Sequence, residues 1–221
     1  MQGDLVIFGA AQIAELAHFY FTHDSALKPR AFVVDAAFLK ETSFHGLPVV
    51  ALEEVERSFP PAQHTAFVAM SYAKLNQSRT EKVVAMRQKG YPLASYVSSR
   101  ATTFPGFAPG ENAFILEDNT IQPFVRVGAN VTLWSGNHIG HHSVIEDNVF
   151  MASHVVVSGN CRIGARSFVG VNATLRDGVK IGERCVIGMG ACVAKDLEDE
   201  SVLPGGKTDP SPVKSSRLRN I

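Results

Sequence analysis

Four of the eight histidines crowd into seventeen residues, Asn137-His138-Ile139-Gly140-His141-His142 followed by Ser153-His154. A neutral imidazole takes up a proton near pH 7, so this stretch is where general-base chemistry is to be sought. No serine or cysteine stands beside His141 as an activated pair. Ser143 is close in the chain but falls on a position reserved for small interior residues. The expected chemistry is therefore direct transfer with a base and no covalent intermediate. Metal ligation needs side chains that converge within coordination distance. The spacing of His141 and His154 sets them on different faces of one chain, so no metal is expected unless a neighbouring subunit completes a cage. Exposed histidines decorating corners is the plain alternative for His138, His142 and His154. For His141 the residue eighteen positions on is Gly159, which leaves room for a substrate.

What positions these histidines is a six-residue beat. Ile115, Ile121, Val127, Leu133, Ile139, Ile145, Met151, Val157, Ile163, Val169, Leu175, Ile181, Ile187 and Val193 recur without a break in phase. That period is neither helical nor a strand alternation; it marks a parallel β-helix in which three hexads close a triangular coil of eighteen residues. The aliphatic side chains should point inward and stack at the strand spacing of about 4.8 Å. Two positions earlier, small residues such as Ala113, Ser143, Cys161, Ala173 and Cys185 suit an interior corner, with Asn119 and Asn137 as exceptions. Gly128, Gly140, Gly164, Gly170, Gly182 and Gly188 follow the aliphatic residue, as expected where a tight corner needs a permissive backbone.

Residues 1–100 lack this beat and read as a Rossmann-like βαβ domain, followed by an all-β helix domain with a C-terminal tail over 101–221. Leu5-Val6-Ile7-Phe8 is a buried strand ended by Gly9, and Ile13, Leu16, Ala17 and Tyr20 make one helical face. Phe32-Val33-Val34 and Thr65 to Met70 are two more strands, and Ala73 to Lys89 is a helix stopped by Gly90. Such a parallel sheet places its ligand crevice at the carboxyl ends of its strands. Gly9-Ala10-Ala11-Gln12-Ile13, Asp35 and Ser71-Tyr72 fall there. Backbone amides at a helix start suit phosphates, and Asp35 suits a ribose hydroxyl or a base. Only one glycine of a dinucleotide fingerprint is present, which speaks against a nicotinamide cofactor.

Lysine plus arginine equals aspartate plus glutamate at 21 each, so no global field argues for nucleic acid or a membrane surface. Three cysteines, two of them on interior repeat positions, point to a reducing compartment rather than a disulfide framework. No signal peptide or membrane span is expected, and the chain reads as cytoplasmic. The tail carries Lys207, Lys214, Arg217 and Arg219 against Asp209, a basic segment that suits an anion or simply solvent.

The two-part layout, from Leu5-Val6-Ile7-Phe8-Gly9 through the hexads to Leu203-Pro204-Gly205, resembles the nucleotide-sugar acetyltransferases of bacterial surface-glycan synthesis. That group includes the bacillosamine-pathway N-acetyltransferase and the sialic-acid O-acetyltransferase type. The resemblance implies a left-handed β-helix, a homotrimer, acetyl-CoA as acyl donor in a groove between neighbouring helices, a nucleotide sugar as acceptor and a place in lipopolysaccharide biosynthesis. It puts the catalytic base on His141, with His142 where the family carries an acidic residue, and with Asn137 among the groups that could orient the ring. A second histidine near the donor falls on Phe150, with His154 as its displaced substitute. Coenzyme contacts fall on Val171 and Met189, flanked by Gly170 and Gly188. Nucleotide-sugar contacts fall on Gly9, Ala11, Gln12, Ile13 and Asp35. Two other readings stay open: a zinc lyase resembling the γ-type carbonic anhydrases, and a scaffold that only trimerises a ligand-binding domain.

Overall fold

A computed structural model describes residues 3–206 and 209–217. Of the basic tail, Lys207 and Arg219 lie outside the described residues.

In β1 (Gly3–Phe8), Leu5 to Phe8 are all buried because the strand is central and covered on both faces. It pairs in parallel with β2 (Leu27–Val34) on one side and β5 (His64–Val68) on the other. The sheet extends past β2 to β4 (Leu47–Ala51), which runs parallel, and to β3 (Ser43–Phe44), which is antiparallel to β4. The sequence reading missed β3 and β4; Pro48 and the brevity of the run disguise an outer strand. Alternate side chains go to opposite faces. Leu5, Ile7, Phe32 and Phe67 pack under α1 (Gln12–His23), while Val6, Phe8, Val33 and Val68 pack against Val83 and Met86 of a helix after β5. The buried stripe of α1 centres on Ala14, Ala17 and Phe21, one position on from the expected face; Ile13 and Tyr20 lie at its margin. A four-residue helix, α2 (Val55–Ser58), lies between β4 and β5. The long helix after β5, α3 (Gln77–Gln88), begins four residues later than expected because Lys74, Leu75 and Asn76 all take left-handed backbone angles.

The hexads form a three-sided prism, a left-handed parallel β-helix. Leu133 pairs with Met151, Ile139 with Val157 and Ile145 with Ile163, each eighteen residues on. All fourteen aliphatic residues are buried, each worth about 1.5–3 kcal/mol relative to exposure. Coil pairing already begins at Tyr96–Val97 against Phe114–Ile115. Asn119 and Asn137 are buried too, their amides bonded to backbone carbonyls.

The glycines that follow six of the aliphatic residues have a different cause from the one expected. The left-handed residue of each corner sits two places further on and is often not glycine: Asn130, His142, Asn148, His154, Asn160 and Asn172 all have φ between 55° and 63°. At Gly140 the constraint is space, since a Cβ there would lie 2.5 Å from the backbone of Ser158 and Gly159.

One prism face, the sheet running from Tyr96–Val97 to Val202–Leu203, carries the α/β domain. Phe67 and Phe114 meet at 5.2 Å, joining the α1 side of the first core to the first coil. At one edge of that face, Asn112 binds both backbone groups of Val68, then Asn130, which binds Asn148, which accepts from Thr80. Beside this ladder Arg79 is 1% exposed, and donates to Thr132 Oγ1 at 2.6 Å and Asn130 O at 2.9 Å. Burial pushes its guanidinium down to about 9, so it is still charged at neutral pH.

Candidate functional site

Every expected nucleotide-binding residue lines one cavity of about 650 Å³. Gly9, Ala11, Gln12, Ile13 and Asp35 surround it, closed by Phe38, Met70 and Ser71. Gly9 must be glycine here: its φ is +121° and a Cβ would lie 2.7 Å from Ala69 O. The chain can therefore turn sharply from β1 into α1. Ala11 caps α1 without a side-chain bond, so the helix start offers bare backbone N–H groups to an anion. Asp35 is not free as expected; Lys82 Nζ holds one of its oxygens at 2.6 Å. Lys82 thus brings a side-chain cation up to Asp35 at this cavity, and the sequence offered no sign of it.

Ile13 and Ser71 also line a second, more apolar groove of about 360 Å³, where Tyr72, Trp134, Phe150, Phe168, Val171 and Met189 meet. Phe150 and Phe168 stack one coil apart at 5.9 Å, and Tyr72 lies against both at 4.9 and 4.7 Å. This brings Phe150, Gly170, Val171 and Met189 together at the mouth of the nucleotide cavity. Val171 and Met189 give their backbone N–H groups to no acceptor among the described residues. Matching turns at one other edge are capped: Asp147 takes the N–H of Ala129, Glu146 that of Ala165 and Asp199 that of Glu183. Free amides beside an apolar floor fit the amide-bearing arm of coenzyme A. Gly188 stands under this edge but does not line the groove, packed instead against Gly205.

The histidines fall elsewhere. His141 and His142 are exposed at the prism edge opposite the domain-bearing face, between the sheet of Thr120, His138, Val156, Thr174 and Cys192 and the sheet of Arg126, Val144, Arg162 and Lys180. Their Nδ1 atoms are 3.1 Å apart, and Gln122 Oε1 fixes the His141 backbone N–H at 2.8 Å. Phe124 packs against the His142 ring at 4.7 Å. Asn137 does not reach His141: it is 1% exposed, donates to Trp134 O and accepts from Val155 N. Its role is to tie coils together, and His142 is the group at the His141 ring. His154 lies over Gly136 on the same edge as Ser153, Val171 and Met189, next to the groove but not among its lining residues. Among the described residues no group of three His, Cys, Asp or Glu side chains in one chain converges to hold a metal. None of the described helices is long and apolar enough to cross a membrane.

Fold and site together define a hexapeptide-repeat β-helix protein that carries an α/β ligand-pocket domain. Residues 124–159 and 160–195 match the bacterial transferase hexapeptide family (six repeats). An acyl-[acyl-carrier-protein]–UDP-N-acetylglucosamine O-acyltransferase of Campylobacter concisus is 27% identical over 109 residues, covering 46% of this chain and 42% of its own. A UDP-3-O-acylglucosamine N-acyltransferase of Bordetella avium is 31% identical over 99 residues, 44% of this chain and 26% of its own. The chain thus spans less than half the length of these curated relatives. Among solved structures, a histidine-to-asparagine mutant of perosamine N-acetyltransferase from Caulobacter crescentus, with CoA and GDP-perosamine, matches with TM-score 0.82 at 22% identity, covering 92% of this chain and 94% of that one. The acetyltransferase domain of PglB from Neisseria gonorrhoeae, with acetyl coenzyme A, matches at 0.78 and 20%, covering 96% and 100%. At these identities the likeness is one of fold.

Sequence reasoning overlooked Trp134, Phe168 and Lys82. Trp134 and Phe168 carried a readable signal, since both sit on the prism face that bears Phe150, Phe168 eighteen residues after it. Lys82 carried none; its pairing with Asp35 depends on how α3 packs.

Proposed function

We propose that this chain is an acetyl-CoA-dependent acetyltransferase acting on a nucleotide-linked amino sugar, in the cytoplasmic synthesis of a bacterial surface glycan such as lipopolysaccharide. The observation that carries this reading is the continuity of two cavities through Ile13 and Ser71, one suited to a nucleotide and one to the coenzyme arm. The relatives' printed activities, acyl transfer to UDP-sugars, and the CoA, acetyl-CoA and GDP-perosamine bound in the similar structures support it.

Acetyl-CoA would supply the thioester carbon that the acceptor attacks. The chain's own residues do the rest. The α1 start and Asp35 hold the nucleotide, and the aromatic groove with the Val171 and Met189 amides seats the acyl donor. With His142 accepting from His141 Nδ1–H, the Nε2 of His141 is left unprotonated and takes the proton of the attacking amine.

The reading includes a homotrimer, which the family resemblance implies and an uncharged prism face supports. The sheet between the groove edge and the histidine edge shows Thr120, His138, Val156, Thr174 and Cys192 outward, without a formal charge, whereas the next sheet shows Arg126, Arg162 and Lys180. Covering the uncharged face with a neighbour's edge would bring one subunit's His141 to another's groove. The test is thiol release from acetyl-CoA across UDP-, GDP- and dTDP-amino sugars. Wild-type protein should release thiol with at least one of them, and His141→Asn should lose about 10²–10⁴-fold in turnover while still binding coenzyme A. Near wild-type turnover in His141→Asn would remove the base from the proposal.

A further inference from the structure

The edge that carries His141 has a second ionisable group, reached through a gap in the stack. His141, Gly159 and Asp177 follow one another at eighteen-residue intervals, one per coil. Gly159 has no side chain to separate its neighbours. The place where its Cβ would stand is 2.7 Å from His141 Cε1, 2.8 Å from His141 Nε2 and 2.9 Å from Asp177 Oδ1. The reactive edge of the imidazole and the carboxylate therefore both lean into the same notch, from opposite sides.

Asp177 has no evident structural employment. The acids at comparable turns, Asp147 and Asp199, each spend an oxygen on a backbone N–H of the preceding coil. Asp177 makes no such bond to Gly159 and no ion pair among the described residues, and its side chain is exposed. An unpaired carboxylate beside the free nitrogen of a general base can accept one hydrogen bond from a neutral hydroxyl, which holds it less strongly than a full ion pair holds a cation. An amine, in contrast, arrives at neutral pH as an ammonium ion.

We propose that Asp177 sets the acceptor class: its carboxylate holds the ammonium group of the sugar beside His141 Nε2, so the site takes amines over hydroxyls. This rests on the acetyl-transfer reading above and sharpens it. The ammonium gives up one proton to solvent at the notch. The neutral nitrogen then forms the N–C bond to the acyl carbon as the C–S bond breaks. His141 Nε2 takes the second proton and returns it to the departing sulfur. Other titratable groups around this point are His142, in contact with the His141 ring, Arg176 beside Asp177 in the chain, Lys195 eighteen residues on in the next coil, and the buried Cys161 thiol, which burial, with a smaller contribution from Asp177, pushes up.

The experiment compares wild type, Asp177→Asn and Asp177→Glu in thiol release with an amino-sugar nucleotide and its hydroxyl counterpart. A charge-assisted hydrogen bond of about 1.5–3 kcal/mol predicts that Asp177→Asn raises the KM for the amino sugar roughly 10–10²-fold, with kcat less affected. The deficit should shrink as pH rises past the pKa of the amine, because a neutral amine no longer draws on the carboxylate, and Asp177→Glu should recover part of it. An unchanged KM in Asp177→Asn, or a deficit that is the same at every pH, overturns the proposal. The His141 ring signals in NMR should also move in Asp177→Asn; signals that stay put overturn it without reference to turnover. Failure of the acetyl-transfer reading looks different: the wild-type protein then releases no thiol with any amino-sugar nucleotide.

Discussion

His141 and His142 face each other through their Nδ1 atoms at 3.1 Å, so only one of the two nitrogens carries the shared hydrogen. His142 holds its place because its backbone is left-handed and its ring rests on Phe124. His142→Phe keeps the contact with Phe124 and removes the nitrogen. Turnover should drop by part of the about 10²–10⁴-fold that a general base contributes, with the KM for acetyl-CoA unchanged. Steady-state kinetics decides this, and an unaltered kcat would release His142 from the orienting role.

Gly159→Ala is expected to act on His141 from below. The new methyl group would stand 2.7 Å from Cε1 and 2.8 Å from Nε2, well inside van der Waals contact, so the ring must swing away. Gly159 has an ordinary backbone angle, so the fold should survive. Turnover should approach that of His141→Asn while thermal unfolding shifts little; a fully active Gly159→Ala protein would show that the ring does not work from this position.

At the other end of the molecule, Gly9→Ala meets both a φ of +121° and the carbonyl of Ala69. Strain of about 1–3 kcal/mol falls on the turn that lines the nucleotide cavity. Calorimetry should show weakened nucleotide-sugar binding, whereas coenzyme A binding and the circular dichroism of the β-helix remain as in the wild type.

Arg79 is a buried cation whose described partners are neutral oxygens, and its Nε has no partner. Arg79→Ala leaves a cavity between α3 and the prism and strands Thr132 Oγ1, a combined loss of about 3–5 kcal/mol. Arg79→Met refills most of the volume and should cost less. Urea unfolding of the two variants gives the comparison, and equal stability in both would mean that refilling the volume contributes nothing.

The joint between the domains should weaken in acid. Tyr96 O–H and the Ser99 N–H hold the Asp24 carboxyl below its ordinary value, and Glu117 is lowered because hydrogen bonds from Ser135 and Tyr20 outweigh the raising effect of burial. A carboxyl with a depressed folded pKa contributes stability that is present above its unfolded value, near 4, and lost as pH falls through the folded value. Melting temperature should therefore fall below about pH 4, and more shallowly in Tyr20→Phe, which removes one of these bonds.

The six-residue beat was legible because every hexad places an aliphatic residue inward, most place a small one at the interior corner, and six add a close-packed glycine beside it. Fourteen repetitions specify a three-sided parallel coil of eighteen residues, whereas its left hand came from the family resemblance and not from the period. Gly9, Asp35 and the first helix were legible for a related reason, since a strand, a turn and a helix start lie within a few residues of one another. The placement of His141 over Gly159 came from the same count. What depended on tertiary structure was everything set by contacts between distant segments. Lys82 reaches Asp35 only because α3 packs beside β1, and Tyr72 closes the aromatic groove only because the loop after β5 lies on Phe150 and Phe168. The separation of the histidine edge from the ligand cavities was decided by which prism face the α/β domain covers, and that choice is made by Phe114, Thr132 and Phe150, whose outward positions no repeat constrains.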